Sequence, residues 1–450
     1  MTLTMKSPLV VTLLGLALVA ALPLHGAAAE TLELSLGDAL RKARERNPAL
    51  QRQLLDQVRR EAEVVEARGA LLPSLQGEAY EIRHSINFEA LAGGSFPLPA
   101  PVIGPFSVRS IGLQAQMPLL DLSLWRRWRG SKAMLESGQA ESEKVREEIS
   151  ALVVGQYLLA LRSEAQVRAV QARIDLAKAL EDLAVHQEQS GVGTGLDTLR
   201  AKVRTQTEQQ ALIRARSARQ EALSGLVRLL DLPPESNVQI KELATQEAAP
   251  TSTLGDDLSA ARSARADFRI LDAQGRAADA RVQGVQALHL PSLQAFASVE
   301  NMGLVHNSLA PNAKLERVYE VGVQLKVPIF SGGRTQAQVN QAQAARSQVD
   351  ATRRELEARV GFELRTSKEH FEAARSEVAL AEEGLRLAQA ELEQARHRFE
   401  AGVSNNIELV SAQEELAKAE EGHLDARYRL DQAQADLAHA KGELEQRYAR

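Results

Sequence analysis

The run Gly191-Val192-Gly193-Thr194-Gly195 has the composition of a loop that cradles phosphate on backbone N–H groups. Such a loop needs a strand before it and Lys-Ser or Lys-Thr after it; here Leu196-Asp197-Thr198 follows, so a nucleotide site is not supported. The nine histidines are scattered, with no His-Glu-x-x-His pair for zinc and no Gly-x-Ser-x-Gly nucleophile turn. Without cysteine the chain builds no thiolate metal site or disulfide and cannot carry a lipid on an N-terminal Cys. The expectation is a protein that is not an enzyme and uses no cofactor or metal. Asp197 and Glu408 each fall in the first turn of a predicted helix, where a carboxylate meets unpaired N–H groups. By itself that position fits an ordinary solvated side chain as well as a functional one. Trp125-Arg126-Arg127-Trp128-Arg129 combines indoles with guanidinium groups, which suits a bilayer interface, where rings sit at headgroup depth and Arg meets lipid phosphate. Trp125 and Trp128 are the interface candidates; the plainer alternative is an exposed helix start with two packed indoles.

The elements that must place these residues occur twice. Leu72-Pro73-Ser74-Leu75-Gln76 returns unchanged as Leu290-Pro291-Ser292-Leu293-Gln294, an offset of 218. Gly112 to Pro118 answers to Gly322 to Pro328 at an offset of 210, and Gly191-Val192 with Leu196-Asp197 answers to Gly402-Val403 with Ile407-Glu408 at 211. Three matches in one order argue for a duplicated unit of about 210 residues. The first repeat spans 30–232, a linker rich in Pro, Thr, Ser and acids spans 233–255, and the second repeat spans 256–450.

Each repeat opens with a predicted helix, Ser35 to Leu72 or Asp256 to Leu290, stopped by the following proline. Beyond it the apolar period becomes two. Tyr80, Ile82, Ile86 and Phe88 alternate with polar residues, broken by His84; Ile111, Leu113, Ala115 and Met117 do the same. In the second repeat Tyr319, Val321, Val323, Leu325 and Val327 alternate cleanly, whereas Phe296 falls out of phase in the strand before them. Each repeat therefore offers a two-stranded hairpin with one apolar and one polar face. Two long helices follow, Asp121 to Gln189 and Arg334 to Ala401, each nearly 70 residues without proline and about 100 Å long at 1.5 Å per residue. Each turns back through glycine into a second helix, Leu196 to Leu230 or Ile407 to Gln446. In the second pair Phe371, Ala374, Val378, Ala381, Leu385, Ala388, Leu392, Ala395 and Phe399 step by threes and fours, as do Leu409 through Ala440. That 3.5-residue repeat predicts knobs-into-holes packing, with Ala letting the axes approach. His423, the one polar member, reads as a tolerated seam residue because its neighbours lack metal-ligand spacing.

Residues 1–29 carry Lys6, an apolar run from Leu9 to Leu22, and Ala27-Ala28-Ala29 before Glu30, the layout of a cleaved secretory leader. The formal charge of −5 becomes −6 without Lys6, so nothing suggests a nucleic-acid partner, whose mark is a basic surface. Aromatic content of 4% with abundant Ala, Leu, Glu, Gln and Arg indicates long helices and coiled coil. Four amphipathic strands are too few for a barrel, which needs about eight, and open edges in lipid would leave backbone groups unsatisfied. The strands must be completed by other copies of the chain.

The paired repeat, the strand end Pro328-Ile329-Phe330-Ser331-Gly332-Gly333-Arg334 and the turn Arg398-Phe399-Glu400-Ala401-Gly402-Val403 with Glu408 beyond it resemble the outer-membrane efflux proteins, the TolC-like family. The resemblance covers essentially all of the mature chain. It implies a mostly α fold with a small membrane β-barrel: a homotrimer whose twelve strands close in the outer membrane and whose helices continue as a periplasmic tunnel. It further implies an exit duct for an efflux pump or type I secretion system, working with an inner-membrane pump and a periplasmic adaptor and embedded in outer-membrane lipid. By position Glu408 matches an acid of the family's tip constriction; Ser411 stands where some members have a second acid, and Asp197 is the repeat-equivalent acid of Glu408. The adaptor would dock on the turns, at Gly191, Val192, Gly193, Thr194, Leu196, Gly402, Val403 and Ile407. The first turn departs from the pattern, with Gln187-Glu188 in place of Arg-Phe. The competing reading is a soluble periplasmic coiled-coil adaptor or structural protein, which normally carries one helical hairpin, not two.

Overall fold

The structure, a computed structural model, describes residues 32–87, 102–243, 253–305, 314–401, 403 and 406–448. The expected leader, Phe88 and Gly402 lie outside the described residues. In chain order the elements are β1 (Leu32–Leu34), α1 (Leu36–Arg46), α2 (Pro48–Gly69), β2 (Ser74–Asn87), β3 (Val102–Leu120), α3 (Leu122–Gln189), α4 (Gly195–Leu229) and β4 (Val238–Ile240). The second repeat adds α5 (Leu254–Ala264), α6 (Ala266–Gln286), β5 (Ser292–Val305), β6 (Glu316–Lys326), α7 (Arg334–Glu400), α8 (Asn406–Lys441) and α9 (Leu444–Tyr448).

The long helices form as expected, with 68 residues in α3 and 67 in α7. Asp121 starts α3 by accepting hydrogen bonds from the backbone of Ser123 and Leu124. The seam forms too: Phe371, Ala374, Ala388, Leu392, Ala395 and Phe399 of α7 are buried against Leu409, Ala412, Leu416, Ala433 and Leu437 of α8. His423 lies in it and reaches across to Glu382, 3.8 Å away.

Three helix boundaries differ from the sequence expectation. The helix predicted from Ser35 to Leu72 is two helices, because Asn47 takes ψ 123° before Pro48 and caps the new start through Ala49 N–H at 2.9 Å. Its counterpart in the second repeat divides at Arg265, the position 218 residues on, with ψ 131° and no proline. There the Arg265 guanidinium bonds Asp267 in the first turn of α6 at 2.8 Å, and from other helices Glu363 at 2.8 Å and the Ala440 carbonyl at 3.2 Å. The helix predicted to Gln446 stops at Lys441, because Gly442 takes φ +77° and Glu443 N–H closes onto the Ala438 carbonyl at 2.9 Å. In the first repeat the same cap is made by Asp231 at φ +50°, with Leu232 N–H on Val227 O at 3.1 Å.

The stretch read as a linker contains β4, which pairs in parallel with β1 at Leu32↔Val238 through Leu34↔Ile240. This pair sits on the main apolar core, where Leu34, Leu40, Val153, Val154, Tyr157, Leu226, Leu230 and Leu444 are almost wholly buried. The core girdles the middle of α3. Tyr157 pins it, its hydroxyl 2.6 Å from the Lys241 carbonyl and 3.0 Å from that of Leu34 while accepting from Lys241 N–H at 3.1 Å.

The hairpins join into one antiparallel sheet of order β2-β3-β5-β6. The helices inherit this order, since β2 follows α2, β3 leads into α3, β5 follows α6 and β6 leads into α7. Near the sheet α3 packs between α2 and α6, and α6 against α7; further away α3 packs against α4 and α8, and α7 against α8. Each shorter helix therefore shares the flank of a long one with a second short helix beyond it, α2 with α4 and α6 with α8.

Candidate functional site

Among the described residues no helix is long and apolar enough to cross a membrane. A continuous apolar face is on the sheet. Register sets Leu75 beside Ala115, Ala297 and Val321, and Leu113 beside Val299 and Tyr319, so these side chains share one face. That face is open: Leu75 is 70% exposed, Val321 77% and Leu325 63%. It runs from Leu120, Leu293 and Leu325 at one end to Ile111 and Tyr319 at the other, about ten residues or roughly 25 Å along a tilted strand, the height of a membrane apolar band. Beyond it the face turns charged, with Arg109 bonding Glu81 at 2.8 Å.

The opposite face carries Gln76, Gln114, Gln116, Gln294, Ser298, Glu300, Glu320 and Gln324. Gln294 donates to Gln116 at 3.0 Å, and Ser110 to Glu300 at 2.9 Å. Here the expectation for β2 is corrected. Tyr80 and Ile82 pair with Ser110 and Val108 on this polar face, not with the apolar set of β3, because the face of β2 that joins the band is Leu75, Gly77 and Ala79. A one-residue offset moves every side chain across the sheet, and the apolar residues of β2 change face at Ala79-Tyr80. His84, which broke the alternation, marks the register shift between His84 and Ile86. Phe296, out of phase in sequence, lies on the polar face over Gly322, where a Cβ would meet its ring at 2.7 Å. Gly112, the repeat partner of Gly322, likewise leaves room for Glu300.

At the other end of the long helices are the two turns. Gly191 at φ +75° ends α3, and Val192 N–H closes onto Gln187 O at 3.0 Å. Val403 N–H makes the same bond to Arg398 O at 3.1 Å, 211 residues on. Thr194 and Asp197 form a reciprocal capping box at the start of α4, so Asp197 is engaged in holding its own helix. Glu408 is held by Arg398 across the second turn, Nε to Oε1 3.1 Å. Ser411 is exposed on α8. The structure brings Leu196 and Ile407 together in a cleft of about 470 Å³ that also takes in Leu199, Val203 and Val410. Those three were not singled out from sequence, although Leu196, Leu199 and Val203 form an i, i+3, i+7 stripe outside the seam. Val192 and Val403 are exposed nearby.

A charged cluster without a sequence signature ties the two hairpins together. Glu208 of α4, 4% exposed, pairs with Arg204 at 2.7 Å and forms an ion pair with Arg173 of α3, whose Nε lies 3.2 Å away without a hydrogen bond. Arg173 also donates to the Ala417 carbonyl of α8 at 3.2 Å and lies 3.7 Å from Glu420, and Arg204 donates to Gln413 O at 3.4 Å. Burial pushes the Glu420 carboxyl above the usual carboxylate range, with the Arg173 charge opposing the rise. Arg204 and Glu208 are an i, i+4 pair on α4, but Arg173 and Glu420 are distant in sequence, and only the packing of α3, α4 and α8 brings them to that pair.

The curated relatives include the alkaline protease secretion protein AprF of Pseudomonas aeruginosa, 28% identical across 71% of this chain and 68% of that protein. The proteases secretion protein PrtF of Dickeya chrysanthemi is 25% identical across 85% of this chain and 82% of its own. Among solved structures the outer membrane protein VceC of Vibrio cholerae superposes with a TM-score of 0.74 over 90% of this chain and 96% of its own, at 17% identity, a likeness of fold. The profile of the outer membrane efflux proteins matches twice, at residues 39–231 and 258–443, one match to each repeat. With its two-faced sheet, paired helical hairpins and a match to both halves, the chain belongs to the outer membrane efflux protein family.

Proposed function

We propose that three copies of this chain close into one duct, an outer-membrane barrel continued by a periplasmic helical tunnel, which passively conducts cargo delivered by an inner-membrane pump through a periplasmic adaptor. The observation that carries the reading is the four-stranded sheet with an exposed apolar face, a polar reverse, and β2 and β6 as its outer strands. In lipid those outer strands need partners, and a copy of the chain offers β6 to the next copy's β2. Three copies give twelve strands, enough for a barrel with a polar channel. The adaptor docks at the hairpin ends, on Val192, Val403 and the cleft between Leu196 and Ile407. Glu408, with Arg398, lines the constriction there. AprF and PrtF are named for protease secretion, which favours secreted protein as cargo. The mature chain extracted from outer membranes should have the native mass of three copies in detergent. A stable monomer in detergent, or a chain that fractionates with soluble periplasm, would rule the duct out in favour of an adaptor.

A further inference from the structure

Just below the apolar band the first turns of α3 carry Trp125, Arg126, Arg127, Trp128, Arg129 and Lys132. Trp125, Trp128, Arg129 and Lys132 follow i, i+3, i+4, i+7 spacing and so share one face of the helix. Gly130 faces Ala277 and Ala280 of α6, Arg126 Cβ faces Gly284, and Gly138 faces Arg60 of α2, so the helix packs through its other side; Arg129 and Lys132 are exposed on this face, Trp125 and Trp128 are half-buried, and Trp128 Nε1 is out of solvent without a hydrogen-bond partner among the described residues. On it each cation lies over the indole one turn earlier, Arg129 3.8 Å from the Trp125 ring centre and Lys132 3.9 Å from that of Trp128. The rings fix the cations while leaving their N–H groups free. None of Arg126, Arg127, Arg129 and Lys132 has a carboxylate within ion-pair distance among the described residues.

The same level of the wall is basic elsewhere. Arg68 near the end of α2, Arg281 near the end of α6 and Arg334 at the start of α7 also have no carboxylate partner among the described residues. Of the acids in those turns, Glu63 and Asp279 are already paired with Arg59 and Arg346, which leaves Glu66. A chain with net charge −5 thus concentrates unpaired positive charge beside its membrane-facing surface. The cluster is not a by-product of the fold: the start of α7 reads Arg334-Thr335-Gln336-Ala337-Gln338-Val339, with one cation and no indole.

We propose that the Trp125–Lys132 face binds the phosphate headgroup of an acidic phospholipid in the leaflet nearest the helices, one such site per chain, and that it prefers acidic over zwitterionic lipid. Acyl chains lie along the apolar band at its helix end, where Leu120 pairs with Leu293 and both Leu120 and Leu122 are exposed; the phosphate meets Arg129 and Lys132. The inference rests on the outer-membrane reading and adds a lipid ligand to it. The test uses the full mature protein extracted from outer membranes, with phosphatidylglycerol or phosphatidylcholine added and retention read by native mass spectrometry. Wild type should retain phosphatidylglycerol preferentially. The R129Q/K132Q variant should lose that preference, by roughly fivefold for each cation removed, while retaining phosphatidylcholine as before and remaining in the outer membrane. Inorganic phosphate should not displace the lipid, because it lacks the chains that occupy the band. Equal retention of the two lipids by wild type, an unchanged preference in the variant, or displacement by phosphate alone would overturn the proposal. A wild-type chain that does not fractionate with outer membrane would fail the duct reading itself, whereas a membrane-resident chain with no lipid preference fails only this one.

Discussion

At the scale of single residues, the proposed tip constriction turns on the Arg398–Glu408 pair. Both side chains are about half exposed, so the pair contributes little to stability, about 0–1 kcal/mol, but it cancels the charge that a lone ring of acids would present. In the proposed trimer Arg398→Gln removes the cation beside each Glu408 carboxylate and should raise cation preference in single-channel recordings. Glu408→Gln uncovers three guanidinium groups and should shift selectivity toward anions. If neither variant changes conductance, selectivity or cation block, the pair lies outside the constriction. Val192 and Val403 belong to the same end. Val192→Glu with Val403→Glu should abolish export while trimer formation and membrane insertion persist, because both residues are exposed and touch neither seam nor sheet. Normal export would move the docking surface elsewhere, and so would failure caused by loss of the trimer.

At the scale of elements, the structure is decided where helices stop. Pro48 makes one break and the contacts of Arg265 make its counterpart, so the same kink arises from backbone chemistry in one repeat and side-chain bonding in the other. Burial would raise the Asp267 carboxyl, yet hydrogen bonds from Arg265 and Lys144 hold it below the usual range. The girdle that results depends on Tyr157. Burial pushes its hydroxyl up to about 12 from 10, against the hydrogen bond to Lys241. A folded-state value above the unfolded one means that the neutral form is favoured on folding. The stabilisation is complete below pH 10 and is lost as pH rises through about 12. Tyr157→Phe should cost about 1–3 kcal/mol at neutral pH through unpaired backbone groups and should lack this alkaline step. Denaturant melts of both proteins from pH 8 to 12 check it; parallel pH profiles would place the titration elsewhere.

For the whole molecule, the two faces of the sheet determine how the chain meets lipid. Val323 and Gln324 are neighbours in β6 on opposite faces. Val323→Arg puts a charge on the apolar band and should cost about 2–4 kcal/mol of membrane stability near the midplane, whereas Gln324→Arg on the polar face should be near neutral. Folding into vesicles under urea titration measures both. Equal penalties would mean that the band is not lipid-facing. The buried Arg173–Glu208–Arg204 cluster acts at the same scale, because it joins α3 and α4 to α8. Removing its one shared carboxylate, as in Glu208→Gln, leaves Arg173 and Arg204 with only the longer contacts to Glu420 at 3.7 Å and Glu414 at 3.9 Å, which should cost less than the roughly 3–5 kcal/mol of a fully unpaired buried charge and should loosen the tips. Faster hydrogen exchange in α4 and the start of α8 is the expected result, and unchanged exchange would show that the hairpins are held by the apolar seams alone.

The sequence by itself determined what is local or repeated. Periods of 3.5 and 2 are written in neighbouring residues, so the seam from Phe371 to Phe399, the long helices and the turns at Gly191 and Val403 were legible before any contact was known, as was the duplication that makes one half explain the other. The tertiary structure decided what depends on distant partners. Arg265 carries no local signal for a helix break; Glu363 and Ala440 supply it from other helices. The linker shows a strand only because β1, some 200 residues earlier in the chain, lies beside Val238–Ile240. The face of β2 was misread because alternation gives two sets of side chains without saying which set joins the neighbour's apolar set, and pairing across β3 settles that. The cleft at Leu196 and Ile407 and the cluster at Glu208 follow the same rule: periodicity fixes which residues share a face, and only packing fixes what that face meets.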